Sequence, residues 1–205
     1  NVRLGMVLLQ ALLSGAPDRG VDFLNTGSVL GAEVSLYALS KAQFAQWGIR
    51  LAAQAGPPLR FIDARLQHMY GPDDDASKFT THVLHACHDH VERLTLTPGE
   101  QRRDFIYIDD VVSAYDTLLR HAGQLAKADA VDVGSGAAPT VRQFVETVHA
   151  MCRSRTRLDF GAQPYRAHEA MLCQADTTRL RALGWQCRHD LRSGLRQTLD
   201  LEFGS

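Results

Sequence analysis

The sequence predicts an α/β protein built on a parallel sheet, and three observations carry that expectation. Short apolar runs alternate with stretches of helical length and periodicity along the chain, the order that a parallel sheet with crossover helices requires. The runs are bounded by turn clusters such as Gly71-Pro72-Asp73-Asp74-Asp75, which break the chain between elements. The composition, 45% hydrophobic and 22% charged over 205 residues, is that of an ordinary packed domain with ample chain for a core.

Taken in order, residues 1–14 read as a helix ended by Gly15 and Pro17. Its apolar start is too short to span a membrane and is read as a buried helix rather than a secretory leader. Residues 21–25 form a short apolar run between turn signals, a buried strand, and a second helix is expected over 35–55. Residues 58–66 alternate Leu59, Phe61 and Ile62 with polar neighbours and read as the next strand. A helix over 77–91, short strands at 94–96 and 104–108, a helix over 109–121 and a strand at 130–133 follow. Helices at 140–152, 177–183 and 191–201 close the pattern, and residues 202–205 look like a cloning remnant outside the fold. With no repeat or low-complexity linker, a second domain must be interleaved with the first. The division expected is 1–72 for the sheet and 73–201 mainly for a smaller α/β region, with strand 130–133 returning to the sheet.

Charge and cysteine usage exclude other classes. The 22 Lys+Arg against 23 Asp+Glu leave a net charge of -1 and no basic field for nucleic acid. Cys87, Cys152, Cys173 and Cys187 have neither metal-ribbon nor redox spacing and read as reduced thiols of a cytoplasmic protein, with no membrane partner. His82, His85 and His88 lie three apart on one expected helix, but without a fourth ligand they are read as a polar face and no metal is assigned. Trp47 and Trp185 are expected to be packing residues.

The informative constellation is Thr26-Gly27-Ser28 at a strand end, followed by Tyr37-Ala38-Leu39-Ser40-Lys41 on the next helix. Positions i and i+4 share a helix face, so the Tyr37 hydroxyl and Lys41 ammonium can address one cleft beside that strand end. A phenol is too weak an acid for efficient proton exchange near neutrality, and a neighbouring cation favours its ionised form. Tyr37 is thereby a candidate acid/base, and the Thr26 hydroxyl a candidate for holding a substrate oxygen against it during hydride transfer.

These segments resemble the extended short-chain dehydrogenase/reductase family, the NAD-dependent epimerases and dehydratases of sugar nucleotides, which implies that the α/β sheet is a Rossmann-type parallel sheet. Further stretches match in order: Arg65 through Pro72 resembles the family's Arg-x-x-x-x-Tyr-Gly-Pro turn, and Arg103 through Asp110 its Arg-Asp-aromatic strand and helix cap. Val133-Gly134-Ser135-Gly136, Arg166-x-x-Glu169 and Ala175-Asp176 through Trp185 complete a series covering nearly the whole chain. The resemblance implies Thr26, Tyr37 and Lys41 as catalytic residues, with Tyr37 and Lys41 also on the cofactor. It places Tyr70, Gly71 and Pro72 by the nicotinamide of NAD or NADP. His68, Lys78, Arg103 and Arg166 are the expected contacts of a nucleotide-sugar substrate, the two guanidiniums suiting its diphosphate. It also implies a homodimer paired through the helices at 1–14 and 35–55.

Departures narrow the expectation. Family dehydratases carry Asp-Glu where Gly27 and Ser28 stand, so dehydration is disfavoured. The eight residues between Ser28 and Tyr37 make an unusually short loop. That loop, Tyr37 through Phe44, Gln67-His68 and Gly99 through Asp104 resemble the CDP-abequose synthase subgroup, which implies 4-ketosugar reduction, with 4-epimerisation as the alternative. No strand is followed by Gly-x-x-Gly-x-x-Gly, the cofactor's pyrophosphate cradle. The chain therefore reads as the C-terminal two-thirds of a longer enzyme with the N-terminal strands of the sheet missing, expected by itself to bind cofactor poorly, and an inactive fragment keeping the fold is the competing reading.

Overall fold

The computed structural model describes residues 2–15, 20–54, 59–167 and 169–204. In chain order its elements are α1 (Val2–Ser14), β1 (Val21–Ser28), α2 (Leu36–Gln54), β2 (Leu59–Leu66), β3 (His68–Tyr70), α3 (Phe79–His88), β4 (Arg93–Leu96) and β5 (Arg102–Arg103). They continue with β6 (Phe105–Tyr107), α4 (Ile108–Arg120), β7 (Ala128–Val133), α5 (Val141–Met151), β8 (Arg157–Phe160), β9 (Leu172–Cys173), α6 (Thr178–Ala182) and α7 (Leu191–Phe203). These form two interleaved units, one of Asn1–Leu66, Val112–Val133 and Asp176–Gln186, the other of Gln67–Val111, Gly134–Ala175 and Cys187–Ser205. Residues 67–72, grouped with the sheet from sequence, fall in the second unit.

The first unit holds a three-stranded parallel sheet in the order β1-β2-β7. The central strand is β2, and Leu59, Phe61, Ile62, Asp63 and Ala64 are all buried where an alternating pattern was expected. A central parallel strand is covered on both faces, which replaces alternation by a continuous run. Phe23, Phe44 and Phe61 pack ring against ring, with Phe23 and Phe61 stacked at 5.4 Å between centroids. Leu9 and Leu59 close this core from α1 and β2. The helices α1 and α2 reproduce the expected ranges to within a residue or two, Asn1, Pro17, Ala55 and Pro58 lying outside the described residues.

The second unit packs Tyr70, Phe105, Tyr107 and Phe144 with aliphatic residues of α3, α5 and α7. Its strands pair two by two, β3 with β6, β4 with β8 and β5 with β9. The strands at 68–70, 102–103, 157–160 and 172–173 were not expected, being too short for a periodic signal; their partners create them. Asp104 ties this unit together. Fully buried, its carboxylate accepts from the Ser135 amide (2.8 Å) and hydroxyl (2.6 Å), the Gly136 amide (3.0 Å) and the Ala175 amide (3.1 Å). Thr140 and Gln143 form a reciprocal capping box that starts α5.

Two expectations change here. Glu202 and Phe203, set aside as a cloning remnant, belong to α7: Glu202 accepts from the Asp73 amide at 2.6 Å and Phe203 stacks on His88 at 3.8 Å. His85 and His88 therefore sit in a packed contact rather than on a purely polar face. Trp185 is buried as expected, but Trp47 is 53% exposed on α2. Among the described residues no helix is long and apolar enough to cross a membrane.

Candidate active site

In the first unit, β1 carries Thr26 to the end of the parallel sheet, opposite Ala64 of β2. The loop after Ser28 leads directly into α2, whose first turns carry Tyr37 and, one turn on, Lys41. The structure brings these three residues together. Lys41 Nζ donates to the Thr26 carbonyl at 2.8 Å and lies 5.8 Å from the centroid of the Tyr37 ring. Tyr37 remains 54% exposed and Thr26 is exposed, so both hydroxyls are open to a ligand at the carboxyl ends of the strands.

Beneath them lies a polar layer that the sequence reading missed. Asn25 and Asp63 face each other across β1 and β2, and the Asn25 amide donates to Asp63 Oδ1 at 2.6 Å. Burial pushes the Asp63 carboxyl above its ordinary range, against the lowering influence of Asn25, Arg65 and Lys41. The signal available in the sequence was a carboxylate following the apolar pair Phe61-Ile62 in the middle of a strand. Gly27 closes over this group: a Cβ there would stand 2.5 Å from Asp63 Oδ1. An acidic side chain at that position, the dehydratase pattern, has no room unless Asp63 moves. From α4, Tyr115 donates to Thr26 Oγ1 at 3.2 Å.

The second unit holds the remaining expected residues. Arg103 is buried, with one guanidinium nitrogen donating to the Arg102 carbonyl at 2.8 Å and another paired with Glu169. Arg166 is exposed, its carbonyl accepting from the Glu169 amide at 3.1 Å. Lys78 is exposed and bridges to Asp74 at 2.6 Å. His68 pairs through β3 with Phe105 of β6; burial, and then the Arg103 charge, push its imidazole down to about 4, and its Nδ1 has no hydrogen-bond partner among the described residues. Tyr70 is a core residue, its ring against Tyr107 and Phe144 and its hydroxyl directed at the Leu191 carbonyl (3.5 Å). Burial raises its phenol well above the ordinary value. Gly71, where a Cβ would meet Ile108 Cγ2 at 2.6 Å, must stay small, and Pro72 follows it half-buried.

The donor set of the first unit fits the ribose end of a dinucleotide. An ammonium has three donors, of which the Thr26 carbonyl takes one, and the centroid of the exposed Tyr37 ring lies 5.8 Å away. The pyrophosphate is a different matter. The amides of Ser135 and Gly136, after the glycine-bearing end of β7, are spent on the Asp104 carboxylate, so that turn is structural.

A model of the NAD dependent epimerase/dehydratase family matches residues 12–134, and the chain belongs to that family. It is 31% identical over 185 residues to CDP-abequose synthase of Salmonella typhimurium, covering 86% of this chain and 61% of that protein. The chain thus spans about three fifths of that relative's length. Its fold is that of UDP-glucose 4-epimerase from Thermotoga maritima, solved with UDP-glucose (TM-score 0.78, 21% identity, 96% of this chain and 67% of that one). It likewise matches RMD from Pseudomonas aeruginosa, solved with NADPH (TM-score 0.77, 23% identity, 96% and 70%).

Proposed function

We propose that the protein is a nucleotide-sugar oxidoreductase that reduces the 4-keto group of a nucleotide-linked deoxyhexose. The observation that carries this reading is the convergence of Lys41 on both Thr26 and Tyr37. Reduced nicotinamide, NADH or NADPH, supplies the hydride to C4 when bound. Tyr37 gives the proton to the C4 oxygen, and the nearby Lys41 ammonium offsets the charge left on its phenol oxygen. Thr26 holds the same carbonyl oxygen by a hydrogen bond, keeping it in line with Tyr37. In the second unit, His68, Lys78, Arg103 and Arg166 are assigned to the nucleotide diphosphate and sugar, and Gly71 and Pro72 to the nicotinamide face. Tyr70, being a core residue, contributes by fixing that turn rather than by its hydroxyl.

Reduction is preferred to dehydration because Gly27 leaves no space for an acidic proton carrier, and to epimerisation because the relative with the greatest identity reported above is a CDP-abequose synthase. We assign a homodimer built on α1 and α2, acting in the cytoplasm. The test is to mix the full-length gene product with NADPH or NADH and a CDP-linked 4-keto-deoxyhexose and follow absorbance at the nicotinamide band. One reduced nicotinamide consumed per sugar is expected, and Tyr37→Phe should lower the rate about 10²- to 10⁴-fold. Interconversion of the two C4-hydroxyl epimers of a CDP-linked deoxyhexose with catalytic NAD, without net oxidation or reduction, would make the protein an epimerase; no turnover of either substrate with Tyr37 intact would end the reading.

A further inference from the structure

Thr26 is gripped at two points by two different helices. Its carbonyl accepts from Lys41 of α2 at 2.8 Å, and its hydroxyl oxygen accepts from the Tyr115 phenol of α4 at 3.2 Å. A threonine hydroxyl has one proton, and its orientation is set by what occupies its lone pairs. With a phenolic proton directed at Oγ1, the threonine proton cannot point the same way; it must rotate out, away from Tyr115. The open direction is solvent, since Thr26 is exposed.

The direction of the Tyr115 bond follows from its surroundings. The phenol is a stronger donor than an aliphatic hydroxyl, and the half-buried Tyr115 keeps its proton. Burial raises its pKa, the bond to Thr26 lowers it, and the Asp63 carboxylate raises it again, with a net upward shift. Asp63 is itself anchored by Asn25, the residue before Thr26, through the 2.6 Å bond across β1 and β2. The oxygen that accepts from Tyr115 and the Asp63 carboxylate are carried on adjacent strands at neighbouring register positions.

We infer that Tyr115 is a positioning residue: by donating to Thr26 Oγ1 it turns the Thr26 proton outward, so that Thr26 meets the substrate carbonyl as a hydrogen-bond donor. The role rests on the ketoreductase reading above. Tyr115 touches neither substrate nor cofactor; it acts through Thr26.

The inference is tested by a kinetic double-mutant cycle on the full-length gene product with reduced nicotinamide and a CDP-linked 4-keto-deoxyhexose. Tyr115→Phe should lower kcat about tenfold with KM within about twofold, because an undirected hydroxyl weakens transition-state stabilisation more than ground-state binding. In the Thr26→Val background the same substitution should cause no further loss, while in Thr26→Ser, which keeps the acceptor oxygen, the loss should reappear. Losses that multiply in the Thr26→Val background, or a change confined to KM, would overturn it. A second readout does not depend on turnover: an NMR cross-peak between the Tyr115 hydroxyl proton and the Thr26 methyl group, lost in Thr26→Val. Its absence from the wild type overturns the inference. A wild type with the cross-peak but without turnover overturns the proposed function instead, and with it any catalytic use of the pair.

Discussion

His68 is an imidazole that the fold holds neutral. Burial and the Arg103 guanidinium both oppose its protonation, placing it at about 4, whereas in the unfolded chain it titrates near 6.5. The unfolded state therefore takes up a proton as the pH falls below about 6.5 and the folded state does not until about pH 4. Stability is fully present above that window and is lost on acidification through it, on the order of 3 kcal/mol in all. His68→Asn should flatten this limb. Denaturant midpoints measured at pH 7, 5.5 and 4.5 should converge for the variant while the wild type declines, and parallel declines would show that His68 contributes nothing to acid sensitivity. The buried Nδ1 has no hydrogen-bond partner among the described residues.

At the scale of elements, what was legible in the sequence is what is local. Tyr37 and Lys41 are one helical turn apart on α2, and Thr26 ends the preceding strand, so spacing alone brought the three into one expectation. The Tyr115 to Thr26 bond spans 89 residues and the Asn25 to Asp63 pair 38, and nothing local announces either. Their geometry exists only once β1 lies in register with β2 and α4 packs nearby. Trp47 misled for the opposite reason: an aromatic on a helix reads as core until the neighbouring elements are known. Gly48 carries the same lesson for packing. In an isolated helix, alanine would be favoured over it by about 1 kcal/mol. Here a Cβ would stand 2.2 Å from the Phe61 ring, which is fully buried and cannot withdraw. Gly48→Ala should therefore destabilise the protein by about 1–3 kcal/mol despite its better helix propensity. A rise in urea midpoint would show that α2 can move off β2 without loss.

At the scale of the molecule, the exposed side of α1 and α2 is the least ordinary surface. Leu4, Val7 and Leu8 of α1 and Leu36, Leu39 and Trp47 of α2 are all substantially open to solvent, on the two helices that flank the sheet unit. Large apolar side chains scattered singly need no explanation; six on two helices that pack on one another make a candidate interface. A second copy is the partner that the family resemblance implies, and a twofold axis would bring the same two helices of each chain together, burying one patch with the other. Aromatic anchors at the centre of such interfaces carry a disproportionate share of affinity. Sedimentation velocity on the 205-residue chain should accordingly give twice the 22.6 kDa of one chain. Trp47→Asp should weaken that association on the order of thirtyfold or more while leaving the circular dichroism spectrum unchanged, because Trp47 lies outside the core clusters of its own chain. A wild type that sediments as a monomer at micromolar concentration would leave the patch without its assigned occupant.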